Sequence, residues 1–428
     1  MSRSNPLPAR RERCYCRRSM NTEQIKPRDA AEVEQAIQWA LADAKTLELI
    51  GRGSKRAIGR AAQWDATLDL SDLSEITLYE PAELVLSAKA GTPLVEIETL
   101  LAANAQELAF EPADYGPLLG VLPGVGTIGG VIAANLSGPR RLKAGAARDH
   151  FLGVTAVSGR GETFKSGGRV VKNVTGYDLC KLLAGSWGTL AAMTEVTVKT
   201  LPRAETEETL LVLARDDATA AMAMTAATGS YADVSGAAYL PAAPASRVGE
   251  FQAFGGGATA FRLEGVAPSV AHRKDLLAKV LAGFGKLESL SAAASRGLWR
   301  AIRDVAPFAS GGPAGEHHIW RISAAPTRGV EIGRKLAEAA QAENFYDWAG
   351  GLVWAALPPA DDAGAALVRS LVRTAGGHAT LIRATTALRA KVDVFEPQNP
   401  ALAALTKRVR EGFDPRGVLN AGRMWAGV

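Results

Sequence analysis

Cysteine and histidine are scarce in this chain: 428 residues hold three of the first and five of the second. Cys14 and Cys16 lie two positions apart with no further cysteine or histidine cluster beside them, a poor metal site, and Cys180 has no evident partner. A disulfide framework is therefore not expected, and a reducing, cytoplasmic compartment fits better. An unbroken apolar run is also missing. The one uncharged stretch of membrane-spanning length, Leu118 to Gly138, carries Pro123, Asn135 and six glycines. It reads as a buried, backbone-rich site rather than a span, so membrane contact is expected to be peripheral at most, through partners at the inner membrane.

Charge of one sign is lacking as well, once the chain is divided. Lysine and arginine number 49 against 44 acids, but positions 1–20 hold six arginines and a single acid, Glu12, which leaves residues 21–428 in balance. A nucleic-acid partner loses its only support. Positions 1–20 are expected to be a disordered, arginine-rich leader. No apolar segment follows it, which argues against a secretory signal. A transit-type leader and a start at Met20 are the two readings, and the second is preferred.

What is present is alternation of helices and strands. Val33, Ile37, Ala40 and Leu41 make a helical stripe. Leu84–Ala88 and Met193–Thr200 read as strands, and a hairpin is expected across Ser158–Gly161. Thr92 is expected to cap a helix with Pro93 in its first turn. Residues 204–390 are alanine-rich with short strands such as His318–Ser323, and Leu402, Leu405 and Val409 mark a last helix. The divisions expected are 1–20, a first domain over 21–203, a second over 204–390 and a C-terminal segment over 391–428.

Three segments before residue 200 set glycine beside hydroxyls. Gly51-Arg52-Gly53-Ser54-Lys55 follows a strand; its glycines let backbone N–H groups converge on an anion, with Ser54 and the cations adding donors and charge. Pro123-Gly124-Val125-Gly126-Thr127-Ile128-Gly129-Gly130 contains a literal G-x-G-x-x-G with Asp149 twenty residues on, the dinucleotide spacing. Pro123 stands where that fingerprint needs a strand, so an NAD-binding Rossmann unit is disfavoured. Thr127 opening a short helix near Ile128 still offers N–H donors to a phosphate. Gly185-Ser186-Trp187-Gly188-Thr189 lies between a short helix and a strand. Three such loops in one domain suggest a long ligand with a pyrophosphate, held by the backbone.

At these residues the chain resembles the FAD-linked oxidases, the PCMH-type or vanillyl-alcohol-oxidase-like flavoproteins, and within them the FAD-binding subunits of bacterial glycolate oxidase complexes. The resemblance rests on YEPAELVLSAKAGTPL (79–94), FEP (110–112), GTIGGVIAANLSGPRRLKAGAARDHFLGV (126–154), VVKNVTGYDLCKLLAGSWGTLAAMTEVTVKTLP (170–202) and FDPRGVLNAGRM (413–424). It covers the first domain almost continuously and the middle thinly, through LWRAIRD (298–304) and IWRIS (319–323). It implies an α+β protein: a two-subdomain PCMH-type FAD-binding domain, a smaller α+β cap-like domain on the substrate or partner side, and a C-terminal segment returning to the flavin domain.

The same resemblance implies the site. Gly51, Arg52, Gly53, Ser54 and Lys55 would form the pyrophosphate loop. Pro123, Gly124, Gly126, Thr127, Gly129 and Gly130 would line flavin and ribityl phosphate, with Asn135, Gly138 and Arg140 continuing that wall. Gly185, Ser186, Gly188, Thr189 and Thr194 would close on the adenine side or the ribityl chain, and Asn420 and Arg423 would approach the flavin ring. Tyr177 and Asp178 fit a core aromatic and a helix cap as well as a motif. Trp187 and Ala191 depart from the family's GSEGTLG. With no His or Cys in 51–60, the implied FAD is non-covalent.

Oxidising a 2-hydroxy acid needs a hydride acceptor, a base and cations for the carboxylate. Members acting on such acids carry H-x-G-D-G-x-x-H, and none of His150, His272, His317, His318 and His378 stands in it. The expectation is a flavoprotein subunit that leaves substrate chemistry to a homologous catalytic flavoprotein and passes electrons toward an iron–sulfur subunit. The alternatives are a self-sufficient enzyme with Arg321, Arg383 or Lys391 on the carboxylate, and a scaffold with a vestigial flavin site.

Overall fold

The computed structural model describes residues 23–169, 176–213 and 216–427. The leader with Cys14, Cys16 and Met20, and the VVKNVT part of the fourth resembling stretch, lie outside the described residues.

The chain begins as a small parallel sheet. β1 (Glu23–Ile25), β2 (Leu47–Ile50) and β3 (Ala66–Asp69) pair in the order β1-β3-β2, under α1 (Ala30–Ala42). Asp29 caps α1 through the Glu32 N–H, and Val33, Ile37 and Ala40 of the stripe are buried while Leu41 is not. A second, antiparallel sheet follows, from β4 (Ile76–Glu80), β5 (Val85–Lys89), β7 (Phe151–Ser158), β8 (Thr163–Gly167) and β9 (Ala191–Lys199), in the order β4-β5-β9-β7-β8. β7 and β8 are the expected hairpin. β6 (Gln106–Glu107) pairs with β10 (Leu201–Pro202).

Between β5 and β7 run α2 (Leu94–Ala103), α3 (Ile128–Ala134) and α4 (Arg141–Ala144). Thr127 does open α3, its hydroxyl accepting the Gly130 N–H at 3.2 Å. Thr92 does not cap α2. Its hydroxyl is engaged with the backbone of Glu75, 2.9 Å from the N–H and 3.1 Å from the carbonyl oxygen, so it ties two strand ends together, and Pro93 holds the cap position without a side-chain bond. α5 (Leu179–Leu183) is capped by Asp178, whereas Tyr177 is 89% exposed and is no core aromatic.

The unit expected to be the smaller of the two carries the molecule's largest sheet. β11 (Thr206–Leu213), β12 (Gly236–Leu240), β13 (Ala258–Gly265), β14 (Lys286–Leu290), β15 (His318–Ser323), β16 (Glu343–Asp347), β17 (Leu352–Leu357) and β18 (His378–Arg383) pair antiparallel as β14-β11-β13-β12-β16-β17-β15-β18. Period-2 alternation divides each strand. Trp320 and Ile322 join one core with α6 (Asp217–Thr228), α8 (Ala267–Leu281), α10 (Pro326–Ala340) and α11 (Ala365–Ala375). Ile319 and Trp354 join another, shared with Phe110, Ile128 and Val131 of the first unit, so the two units have one continuous core.

A reciprocal set of ion pairs sits at the edge of that core. Arg262 of β13 forks onto Glu111 at 2.6 and 2.9 Å, while Arg140 reaches Glu264 at 2.6 Å and Glu107 at 2.6 Å. Burial alone would push the Glu111 carboxyl up, but the Arg262 and Arg140 guanidiniums outweigh it and hold it down at about 2. α7 (Ala242–Ala245) and α9 (Ala292–Arg303) pack on the core shared with the first unit, and α12 (Thr386–Lys391) and α13 (Pro400–Phe413) follow the large sheet. Leu402 and Leu405 are on α13 as expected, though both are exposed.

Candidate functional site

β2 stops at Ile50 and the chain turns through Gly51–Lys55, where Gly53 sits at φ +75, a conformation glycine adopts without strain. This loop lies against the start of α3: a Cβ on Gly51 would stand 2.6 Å from the Thr127 hydroxyl. α3 in turn presses on β5, because a Cβ on Gly129 would meet Ala90 at 2.6 Å from its Cβ and 2.7 Å from its carbonyl oxygen. Glycine at both places lets three backbones approach to contact distance.

The C-terminal segment completes the site. Leu47 donates to Val418 and Asn420 donates to Leu47, so residues 418–420 run beside β2. Asn420 accepts the Leu49 N–H on Oδ1 at 2.8 Å and donates from Nδ2 to the Trp187 carbonyl at 2.7 Å, joining the first loop to the third. Arg423 donates to the Lys55 carbonyl at 3.0 Å, and its Nε is buried with no partner.

The result is a cleft of about 690 Å³ of atom-free space, lined by Gly51–Arg56, Thr127, Gly129, Gly130, Trp187, Gly188 and Arg423, with Leu49, Leu70, Ala90, Ala133 and Met193 as apolar wall. Lys55 is half-buried, bonded to Ser54 Oγ at 3.1 Å, and burial pushes its ammonium down to about 8, Asp114 opposing and Arg423 assisting that shift. The burial of Arg423 likewise lowers its guanidinium to about 10. Two cations in one glycine-lined cleft fit an elongated anionic ligand, with Lys55 beside the glycine loop and Arg423 further along.

Not every expected residue lines this cleft. Pro123 and Gly124 form an exposed turn in which Gly124 N–H donates to Asp114 at 2.7 Å, and Gly126 packs under Leu94. Asn135 is the left-handed C-cap of α3 and accepts the Arg148 N–H. The Gly138 carbonyl accepts the Trp348 indole N–H at 3.0 Å, and Arg140 is consumed by its three glutamates. Gly185 packs against Asn135, and Ser186 and Thr189 bond to each other. Thr194 donates to Thr155; strand alternation turns Met193 toward the cleft and Thr194 away. Trp187, Ala133, Ala90 and Leu70 were not expected there. The alternation of Ala191 and Met193 on β9 is the one local signal that could have found part of the wall.

A second group of residues faces the first unit from the eight-stranded sheet. Arg321 and Arg141 lie over the same Trp348 ring, 5.0 and 4.4 Å from its centre. Beneath them, burial pushes the Asp347 carboxyl up to about 7 against the Trp348 N–H that it accepts at 2.7 Å. Arg383 is not available to a carboxylate. It donates to the carbonyls of Leu118, Phe308 and Ala314 and braces the loops it touches. Lys391 is exposed on α12.

Two subdomains around a glycine-lined, cation-bearing cleft, with a large antiparallel sheet on top, define an FAD-linked flavoprotein of the PCMH type. The FAD binding domain family matches residues 24–167. The glycolate oxidase subunit GlcE of Escherichia coli is 33% identical over 397 residues, 92% of this chain and 96% of that one. GlcD of Bacillus subtilis, a further glycolate oxidase subunit, is 30% identical over 52% of this chain and 45% of its own. Among solved structures, 4-ethylphenol oxidase from Gulosibacter chungangensis superimposes with a TM-score of 0.69 at 11% identity, over 94% of this chain and 89% of that one, which is a likeness of fold. The chain belongs to the GlcE family of FAD-binding oxidoreductase subunits.

Among the described residues, no helix is long and apolar enough to cross a membrane.

Proposed function

We propose that this chain holds FAD non-covalently in the cleft between the Gly51–Lys55 loop and α3, as one subunit of a complex oxidising glycolate or a related 2-hydroxy acid. The observation that carries this reading is the convergence of four distant segments, at 51–55, 127–130, 187–188 and 423, on one cleft with Lys55 inside it. Backbone N–H groups of the first loop and the Lys55 ammonium would face the pyrophosphate, and Arg423 and Asn420 would set the far end. The bound cofactor supplies the hydride acceptor; the chain supplies orientation, charge and exclusion of water. The lining of the cleft contains no Cys or His among the described residues, which supports non-covalent binding. The homologous flavoprotein partner is the proposed seat of substrate chemistry, and an iron–sulfur subunit the proposed electron acceptor.

The test is purification with a flavin spectrum. A yellow protein releasing all its FAD on acid precipitation is expected. A colourless chain after incubation with excess FAD would leave only the vestigial-site reading. Lys55 adds a pH signature. Because burial lowers its ammonium to about 8 in the free cleft, the charged form is present below that pH and is lost above it, so FAD affinity should fall as pH rises past about 8. Lys55→Arg should flatten that decline, read by titrating flavin fluorescence between pH 6.5 and 9.5.

A second reading, a self-sufficient enzyme, is favoured by Arg321 alone. Among the described residues Arg321 has no carboxylate partner, and it shares Trp348 with Arg141. If the isolated chain oxidises glycolate with an artificial acceptor, Arg321→Ala should raise KM at least tenfold. The primary reading expects under about a hundredth of the rate of the full complex from the isolated chain, a deficit of about 2.7 kcal/mol in barrier.

A further inference from the structure

We propose that the large cleft beside the Arg262 network is a second ligand site, one that takes a small dianion bearing two carboxylates or a phosphate. This cavity has about 1460 Å³ of atom-free space and shares no lining residue with the flavin cleft. It lies where the first unit, α9 and β13 meet.

Its charged lining sorts into two layers. The inner layer is self-satisfied: Arg140 and Arg262 saturate Glu107, Glu111 and Glu264. The rim is not. Arg203, from the segment after β10, and Arg296 and Arg300 of α9 line the cavity, and among the described residues none of the three donates to a carboxylate. Arg296, Arg300 and Arg303 stand at i, i+4 and i+7, one above another on a single face of α9. Arg303 is neutralised by Asp304 at 2.8 Å. The other two are like charges one turn apart, an arrangement that destabilises a helix unless an anion lies between them.

Guanidinium forks match carboxylate and phosphate oxygens in pairs, so two adjacent forks and a third on the same cavity wall select a ligand with more than one negative charge. On the rim Glu205 and Glu98 oppose them, and Glu98 lies 4.0 Å from Arg303, which offsets part of its charge. Deeper in, Glu207 is buried and accepts the Ser295 hydroxyl at 2.6 Å, and burial pushes its carboxyl up, so this group does not repel an anion as an exposed carboxylate would. The site rests on its own geometry and is independent of the flavin assignment.

Calorimetric titration of the chain, supplied with excess FAD, tests it with three probes: inorganic phosphate, succinate and acetate. Saturable binding of phosphate or succinate is expected, at least tenfold tighter than acetate and weakened by added salt. The double variant R296A/R300A, both positions exposed on a helix that alanine favours, should weaken that binding at least tenfold, while Lys55→Ala should leave it unchanged. Phosphate alone binding would identify a phosphate ester as the natural class, and succinate alone a dicarboxylate. The proposal is overturned if no dianion saturates the wild-type chain, if acetate binds as tightly, or if R296A/R300A binds like wild type. A loss in Lys55→Ala instead of the double variant would place the anion in the flavin cleft and also overturn it.

Discussion

Lys55→Glu should yield a folded chain that no longer retains FAD. The side chain makes one bond, to the hydroxyl of the neighbouring Ser54, and leans on no buried carboxylate, so its replacement leaves little of the fold unsupported. The cleft, by contrast, loses one of its two enclosed cations and gains an anion beside Gly130, where a Cβ would stand 3.5 Å from the Lys55 ammonium. Removing one partner from a desolvated charge pair costs about 2–5 kcal/mol, a loss of thirtyfold or more in affinity. The ratio of flavin to protein absorbance after gel filtration reads the effect, and circular dichroism checks the fold. Full retention of FAD by this variant would show that the cleft between the 51–55 loop and α3 does not hold the pyrophosphate. Gly129→Val makes a companion: its side chain would enter the carbonyl and Cβ of Ala90, so both stability and flavin retention should fall together.

Arg262→Ala is expected to destabilise the protein by about 3–5 kcal/mol, the range for stranding a buried ionic partner. Arg262 is 1% exposed, and its loss leaves Glu111 without its fork and Glu264 with Arg140 as its one guanidinium partner beside the Ser235 hydroxyl. The sign of the pH dependence identifies the cause. In the wild type Glu111 titrates near 2, below the ~4.3 of an unfolded chain, so its contribution is complete above about pH 4.3 and is lost as pH falls toward 2. In the variant, burial without Arg262 raises that carboxyl, and protonation relieves it. The deficit should therefore be largest at pH 7 and shrink toward pH 4 in denaturant titrations. A deficit equal at both values would assign the effect to lost packing over the Trp299 ring, 4.7 Å from the guanidinium. Adding Glu111→Gln should restore part of the loss, because the pair couples directly.

Much of this architecture is local and was legible. The Asp178 cap, the Ser158–Gly161 hairpin and Thr127 at the head of α3 depend on residues within a few positions of one another. The glycine–hydroxyl loops announced backbone held close to something, and the balanced charge of residues 21–428 left nothing in the composition pointing to nucleic acid. Local rules also misplaced residues. Thr92 looks like a cap because threonine before proline so often is one, but Glu75, seventeen positions back, takes its hydroxyl. The resemblance implied Arg140 on the flavin wall, and in the structure Glu264, 124 positions on, takes its guanidinium.

By itself, then, the sequence determined which segments can lie against a phosphate and which family their order belongs to, because glycine, hydroxyl and strand-end patterns act through the nearest backbone. The tertiary structure alone decided which of them meet. Asn420 bonds Leu49 across 371 positions, Arg423 bonds Lys55 across 368, and Arg389 reaches Gly59 across 330. The first two exist because residues 418–420 run as an added edge beside β2 and the third because α12 packs against the loop after β2, outcomes of how sheets and cores pack that no neighbouring residue encodes.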